Sequence, residues 1–491
     1  MYCDVRNLYE QYYQMYLYLL VFTAGTAVMI LEIVASRFFA PYIGTSMYVW
    51  TALIGIVMAG LSTGYALGGY LGDKWKSLEK LQLLIAITGF WILGLGMLRD
   101  FLLLWLSLVL PSVILIAVVG SLLLLLLPSV LLGIVSPYAI RLAAIDLQHV
   151  GQTAGRIAAI STVGSILGTF LAGFVFIPLL GTTTILFTLS VILVMIPALR
   201  ITWKTSFFLL FFLFIFPVGV SSQQRSTSEL HTLLGIIDQR DTPYSVISVR
   251  ELLHSPTSKP YRLLQIDNGH HGAAFISNDD DHVFAYTRAY ALLDRLRPGA
   301  KKGLLLGGGT YTIAHHFLKR NPERTIDAVE IDPLVTEIAR KYFPVPTERL
   351  TITHEDARTF LNREDAPGTY HVVFGDTFQS SNSIPFHLTT REAVEHIARL
   401  LDRDGIYVLN VIGAATGPLS TFVSAEFNTL KSVFPHVAVL LIDEEQTPRN
   451  ILLFASKQPF LTDIPGVVVF SPTTDLILTD NYAPVETMMR L

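Results

Sequence analysis

Apolar positions along this chain follow two different patterns. Up to about residue 220 they form long blocks with few charges; beyond it they form short runs separated by charged turns. A helix needs about 20 apolar residues to cross a bilayer. Blocks of that order fall at 16–36, 48–71, 81–98, 157–178, 181–199 and 205–220. A further apolar region, 101–141, is interrupted by Pro111, Pro128 and Pro137, and accommodates either one span with an interfacial helix or two spans. About seven spans are expected. Glycines recur in the second block (Gly55, Gly60, Gly64, Gly68, Gly69) and the fifth (Gly164, Gly168, Gly173). Small residues let helices approach closely in lipid, so the pattern predicts a compact bundle. Pro41 to Ser46 is expected to be the loop between the first two spans, with Glu32 and Arg37 near the end of the first.

After a polar linker, Ser221 to Ser228, the period changes. Residues 230–275 alternate as strands do and predict a small antiparallel sheet. Asp279-Asp280-Asp281 is a polar turn, and 282–297 has the spacing of an amphipathic helix. From Leu304 onward, strand and helix patterns alternate. Strands are expected at Leu304–Leu306, Ile326–Ile331, Leu350–Thr353, Tyr370–Phe374, Ile406–Val411, Val437–Ile442, Ile451–Ala455 and Val467–Phe470. Helices are expected at Tyr311–Arg320, Leu334–Tyr342 and Arg391–Leu401. Such alternation predicts a mostly parallel, doubly wound sheet of Rossmann type. The expected domains are a transmembrane bundle over 1–221, a small β subdomain over 222–280 and an α/β domain over 281–491.

Composition agrees with this division. The chain is 52% hydrophobic and only 15% charged, and its mean hydropathy is +0.51. The net charge of −4 gives no electrostatic footprint for nucleic acid. Cys3 is the only cysteine, which excludes an intrachain disulfide and a cysteine metal cluster. The polar, tyrosine-rich start does not have the pattern of a cleaved signal peptide. Lysine and arginine cluster at Lys74, Lys76 and Lys80, at Arg141 and Arg156, and at Arg200 and Lys204. With seven spans, all three clusters fall on the cytoplasmic side and the soluble half lies outside. An even number of spans would reverse that placement.

The chemistry concentrates in Gly303–Pro333. An apolar strand leads into Gly307, Gly308 and Gly309, a helix follows, and a second strand ends at Glu330. Glycines permit close backbone approach to a ligand, and an acid about 20 residues later can accept from ribose hydroxyls. Ligands on such sheets bind at the carboxyl ends of the strands, where Glu330, Asp356 and Asp376 are all expected. His270-His271, after Asp267, and His282, after the acidic triplet, offer either a general base or surface turn chemistry, the second being the simpler reading. His315 and His316 are adjacent, so on a helix they diverge, and no metal site is assigned.

Several stretches together resemble the spermidine synthases and, more closely, their membrane-fused relatives: TPYSVISV, RLLQIDNG, LLLGGGT, VEIDP, HEDARTF, VVFGDTF, PFHLTTRE and LTDNYAPVE. The resemblance covers about 241–486. It implies a transmembrane bundle followed by a Rossmann-like aminopropyltransferase domain with a small N-terminal β-sheet. It implies that Gly307, Gly308, Gly309, Glu330 and Asp356 bind an adenosyl nucleoside, and that Asp376 is the catalytic acid. Asp267, Tyr286 and Gln379 fall at the substrate side. The implied donor is S-adenosylmethionine or its decarboxylated form.

This chain departs from the soluble family at the amine side. Thr310 stands where those enzymes carry an acid, Gln379 where they carry a second one, and Tyr286-Thr287-Arg288 replaces a tyrosine–glutamine signature. Fewer carboxylates hold a polyamine cation less well. Three readings follow. One is aminopropyl or methyl transfer from an adenosyl-sulfonium donor to an amine. Another is an extracytoplasmic enzyme that uses the fold without nucleoside on an amine or amide such as a peptide terminus. The third is a transporter with a sensor domain, for which the spans carry few charges. The expected partners are the lipid bilayer and a small amine or peptide substrate, with a homodimer left open.

Overall fold

In a computed structural model of the chain, the described residues are 2–44, 46–144, 149–198, 231–255, 257–277, 281–377, 385–417, 420–442, 449–460 and 464–488. They form two compact units: Met1–Leu233 with Arg240–Val246, and Leu234–Gln239 with Ile247–Leu491. The expected span at 205–220, the linker, Asp279, Asp280 and Gln379 lie outside the described residues.

The first unit contains α1 (Tyr2–Ile43), α2 (Met47–Trp75), α3 (Leu78–Val109), α4 (Val113–Ala143), α5 (Val150–Leu171) and α6 (Ile177–Ala198). Among the described residues, six helices are long and apolar enough to cross a membrane. The ambiguous region resolves into the end of α3 and a single further helix, α4. Pro128 and Pro137 are accommodated inside α4, whereas Pro111 lies in the break before it. The expected loop at Pro41–Ser46 is also corrected. Helix α1 continues through Pro41, so Glu32 and Arg37 lie inside it. It stops at Gly44, whose left-handed backbone (φ 73°) ends a helix more readily than Pro41 does here. A wide helical turn, Ala172–Phe176, extends α5, and α6 is kinked at Gly181 (φ 70°).

The glycine pattern explains the packing. A Cβ on Gly64 would lie 2.4 Å from the Val130 carbonyl oxygen, and one on Gly68 would lie 2.5 Å from that of Ile134. Gly164 and Gly168 of α5 sit equally close to Phe22 and Thr26 of α1. Two helix pairs, α2 with α4 and α1 with α5, therefore meet backbone to backbone. Gly55, Gly69 and Gly173 have nothing within 4 Å and take no part in this packing.

Strands β1 (Ile236–Asp241), β2 (Val246–Leu253), β3 (Pro260–Ile266) and β4 (Gly269–Phe275), which apart from Arg240, Asp241 and Val246 belong to the second unit, form a four-stranded sheet in sequential order, with β2, β3 and β4 antiparallel. The large sheet contains β5 (Lys302–Leu306), β6 (Thr325–Glu330), β7 (Leu350–His354), β8 (Tyr370–Gly375), β9 (Leu401–Gly413), β10 (His436–Leu441), β11 (Arg449–Ser456) and β12 (Val467–Val468). Their order is β12-β10-β11-β9-β8-β5-β6-β7. Strands β5 to β9 run parallel. Strand β11 enters antiparallel between β9 and β10. The alternation of strand and helix therefore does not continue to the end of the chain. The connection between β10 and β11 is too short for a crossover, so the second strand returns beside the first.

Helices α7 (Thr312–Lys319) and α8 (Pro333–Tyr342) cover one face of the large sheet; α9 (Ala357–Arg363), α10 (Arg391–Leu400) and α11 (Thr421–Lys431) cover the other. The run Leu304-Leu305-Leu306 shows why β5 is central: its first and third residues belong to one core and its second to the other. The expected helix 282–297 is broken into Ala285–Ala289, a tight turn Tyr290–Leu292 and Leu293–Leu296. This tightening accompanies an edge-on contact of Tyr290 with Phe374, ring centroids 5.4 Å apart.

Gly64→Leu should lower the apparent melting temperature in detergent by several degrees, equivalent to a loss of about 2 kcal/mol or more, because overpacking forces α2 from α4. Gly69→Leu should change it by less than 1 °C. Equal effects of the two would refute this packing.

Candidate active site

The site forms where β5, β6 and β8 end. At the tip of β6, Glu330 is only 8% exposed. One carboxylate oxygen, Oε2, accepts from the Gly308 and Gly309 amides at 2.9 and 3.2 Å; Oε1 accepts from the Asp332 amide at 3.0 Å. Burial raises the pKa of this group, and the three amides oppose the rise. Asp332 in turn caps α8 by accepting from the Leu334 amide at 2.9 Å. The acid expected to hold ribose thus also pins the glycine turn. A carboxylate has about four acceptor positions, so one remains for a ligand hydroxyl.

The glycines have a structural reason that the sequence alone did not reveal. Gly307 has φ 90°, and a Cβ there would lie 2.4 Å from the Asp376 carbonyl oxygen. A Cβ on Gly309 would lie 2.8 Å from the His271 carbonyl oxygen. The turn is squeezed between the end of β8 and the β3–β4 hairpin. Thr310 is buried against that hairpin, with its hydroxyl 2.7 Å from Thr312 Oγ1. Tyr311 follows with a left-handed backbone (φ 56°), and its fully buried ring places the hydroxyl 2.5 Å from Thr336 Oγ1. Thr336 Oγ1 also lies 3.0 Å from His354 Nε2.

Asp356 stands past the end of β7. Its Oδ1 caps α9 by accepting from the Thr359 amide at 2.9 Å, and its Oδ2 lies 3.2 Å from His387 Nε2. Asp376 follows β8. Its amide donates to the Leu306 carbonyl at 3.0 Å, which ties it to the end of β5. The Asn410 amide group donates to Asp376 Oδ1 at 2.8 Å, and Asn450 donates to Asn410 Oδ1 at 3.0 Å. Burial pushes the Asp376 carboxyl up to about 6, with the Asn410 hydrogen bond opposing the rise.

Asp376 opens into a cavity of about 350 Å³ whose lining includes Tyr286, His270, His271, Asn268, Asn410 and Asn450. The structure therefore brings Asp376 and Tyr286 together in one cavity lining. Burial, and then the Asp376 charge, drive the Tyr286 phenol well above its ordinary pKa, so it remains a hydrogen-bond donor. Asp267 is buried in the β3–β4 turn (φ 51°), and it is the next two residues, Asn268 and Gly269, that reach the cavity. His270 and His271, read from sequence as turn chemistry, are cavity walls. Asn410 and Asn450 were assigned no role; the one available signal was an asparagine inside the apolar strand VLNVI. His282 stacks on His316 at 3.7 Å between centroids, another pairing that the sequence did not suggest.

A glycine turn after the central strand, acids at the ends of neighbouring strands and this sheet order define a Rossmann-like domain of methyltransferase type, the scaffold of a group transferase. Residues 288–459 match the spermine/spermidine synthase domain, so this part of the chain is a spermidine-synthase-like domain. A polyamine aminopropyltransferase of Vibrio vulnificus is 28% identical over 229 residues, 41% of this chain and 75% of that protein. An N-terminal histidine N-methyltransferase of Emericella nidulans is 27% identical over 248 residues, 45% of this chain but only 42% of that protein. Among solved structures, a probable spermidine synthase from Corynebacterium glutamicum aligns at 24% identity and a TM-score of 0.40, covering 46% of this chain and 81% of that one.

The raised pKa of Asp376 has a signed consequence for stability. Protonation favours the folded state between the ordinary carboxylate value and about 6, so this group's contribution is full below about pH 4 and is lost as pH rises through about 6. Asp376→Asn should therefore stabilise the soluble unit at pH 7.5, by up to about 3 kcal/mol, and by almost nothing at pH 4. Chemical denaturation at the two pH values checks this; equal stabilisation at both would contradict it.

Proposed function

We propose that this chain is a membrane-held transferase that alkylates an amine with an adenosyl-sulfonium donor. The observation that carries the reading is Asp376: a partly buried carboxyl, with its pKa near neutrality, fixed beside the glycine turn and opening into a substrate-sized cavity. The bundle over 1–221 anchors the enzyme, the small sheet over 222–280 supplies one cavity wall, and 281–491 carries the chemistry. When bound, the donor supplies a carbon made electrophilic by its sulfonium. Glu330, the glycine turn and Asp356 would hold its nucleoside end. Asp376 would orient the acceptor amine, and its carboxylate would take the proton that nitrogen loses as the new C–N bond forms and the donor's C–S bond breaks, the sulfur leaving as a neutral thioether. Asn410 keeps the reacting oxygen pointed into the cavity, and Asn450 keeps Asn410 from rotating.

The charge of the lining narrows the acceptor. Among the described lining residues Asp376 is the only carboxylate; the remaining polar groups are three carboxamides, two imidazoles and a phenol. Such a wall suits one amine next to amide groups better than a dication. Methyl transfer to an amine fits it more closely than aminopropyl transfer to a polyamine. The relative from Emericella, named for methylation of an N-terminal histidine, points in the same direction. A second reading, with a peptide terminus as substrate and no nucleoside, rests on the outward placement of this unit expected from the lysine and arginine clusters.

Isothermal titration with S-adenosylmethionine and methylthioadenosine should show binding, weakened at least 10-fold in Glu330→Ala; absence of binding at millimolar ligand would overturn the donor assignment. Activity on an amine acceptor should fall about 10²–10⁴-fold in Asp376→Asn. In the unmodified enzyme, kcat/KM should decline below about pH 6 as Asp376 becomes protonated. A topology reporter fused after residue 221 separates the two readings. A cytoplasmic signal gives access to the donor; an outside signal without nucleoside binding supports the second.

A further inference from the structure

Glu426 lies on α11, on the face of the sheet opposite the Asp376 cavity, and is fully buried. Among the described residues neither of its carboxyl oxygens has a hydrogen-bond partner. Buried polar groups in folded proteins are almost always paired, and leaving one unmade costs about 1–3 kcal/mol, more if charged. A residue that incurs this cost requires an explanation, and burial alone gives none, since a leucine would pack there more favourably.

The carboxyl does not face solid packing. It lines a small void of about 20 Å³ together with the Tyr407, Thr389 and Thr377 side chains and the backbone at Gly375. That is space for one water-sized occupant. Glu426 and Tyr407 are the only titratable groups in this lining, and the rest is apolar apart from two threonines and Asn410. Asn410 also belongs to the lining of the Asp376 cavity, so the void and the cavity share a wall. Gly375 and Thr377 flank Asp376 in the chain. Tyr407 comes close enough to Gly375 that a Cβ there would meet its hydroxyl at 2.5 Å.

We propose that this void is a binding site for a small monovalent cation, with Glu426 as its anionic ligand and the surrounding hydroxyls as neutral ones. The chemistry is that of an ammonium-sized cation, supplied either by a free ion or by the charged end of an amine substrate. Binding exchanges a proton for the cation: Glu426 releases its proton to solvent and the positive charge takes its place. The site places a carboxylate in a void that shares Asn410 with the Asp376 cavity. It does not depend on the identity of the donor.

The test uses the full chain in lipid nanodiscs, with the apparent melting temperature followed by intrinsic fluorescence. Choline, sodium, potassium, ammonium and 1,3-diaminopropane chlorides are compared at constant ionic strength. At least one small cation should raise the melting temperature by about 3 °C or more over choline. The rise should grow between pH 6 and 8, as cation and proton compete, and should vanish in Glu426→Gln. Stabilisation by sodium, potassium or ammonium that survives Asp376→Asn identifies a free ion. Stabilisation by the diamine alone, lost in both Glu426→Gln and Asp376→Asn, identifies the substrate. Should Glu426→Gln misfold, Glu426→Leu, which packs without a polar group, serves as the second variant. Identical cation responses in the wild type and a folded Glu426 variant would overturn the proposal.

Discussion

The carboxylate of Glu330 is the constraint around which the soluble unit is arranged. Three backbone amides converge on it from two different segments of chain, the glycine turn and the residue that starts α8. An acid buried to this degree is tolerated because those amides replace the water it has lost. Its hold on Gly308 and Gly309 fixes the turn; the turn permits the close approach of Asp376 on one side and of His271 on the other. The relative position of the glycine turn and of Asp376 is thus set by one side chain.

The same crowding accounts for what stands next to the glycines. Thr310 packs onto Gly272, where a Cβ would come within 2.2 Å of its hydroxyl oxygen. A threonine buried against a backbone contributes packing and a short hydroxyl bond, and it contributes no charge. Among the described lining residues of the cavity beyond, Asp376 is the one carboxylate, set among carboxamides and imidazoles. Selectivity in such a site comes from hydrogen-bond direction more than from net charge.

The fold was legible where the pattern was local. The described long apolar blocks, the three leucines of β5 and the glycine–acid spacing each have one cheap structural solution, and each took it. Helix α1 passing Pro41 was not legible, because the left-handed Gly44 three residues later is the stronger stop. Nor was the antiparallel entry of β11, since periodicity reports which face of a strand is buried but not which neighbour it chooses. At the site, Glu330, Asp356 and Asp376 stood out as acids at strand ends. Asn410, Asn450, His270 and His271 did not, because their place in the cavity comes from strand order and from a hairpin folding over the sheet. Gln379 lies beyond the described residues and stays an expectation.

Strand β11 has a consequence for how the protein comes to be. It is made after β10 yet lies between β9 and β10, so the sheet cannot be completed in the order of synthesis. Until β11 inserts, Asn450 is absent from its place beside Asn410, and the wall that Asn450 adds to the Asp376 cavity is missing. The Asp376 carboxyl therefore gains these surroundings only once the chain has emerged past β11 and a non-local pairing has formed, a slow class of event. A nascent or truncated chain would already be tethered to the membrane by its first half while its chemistry was still unassembled.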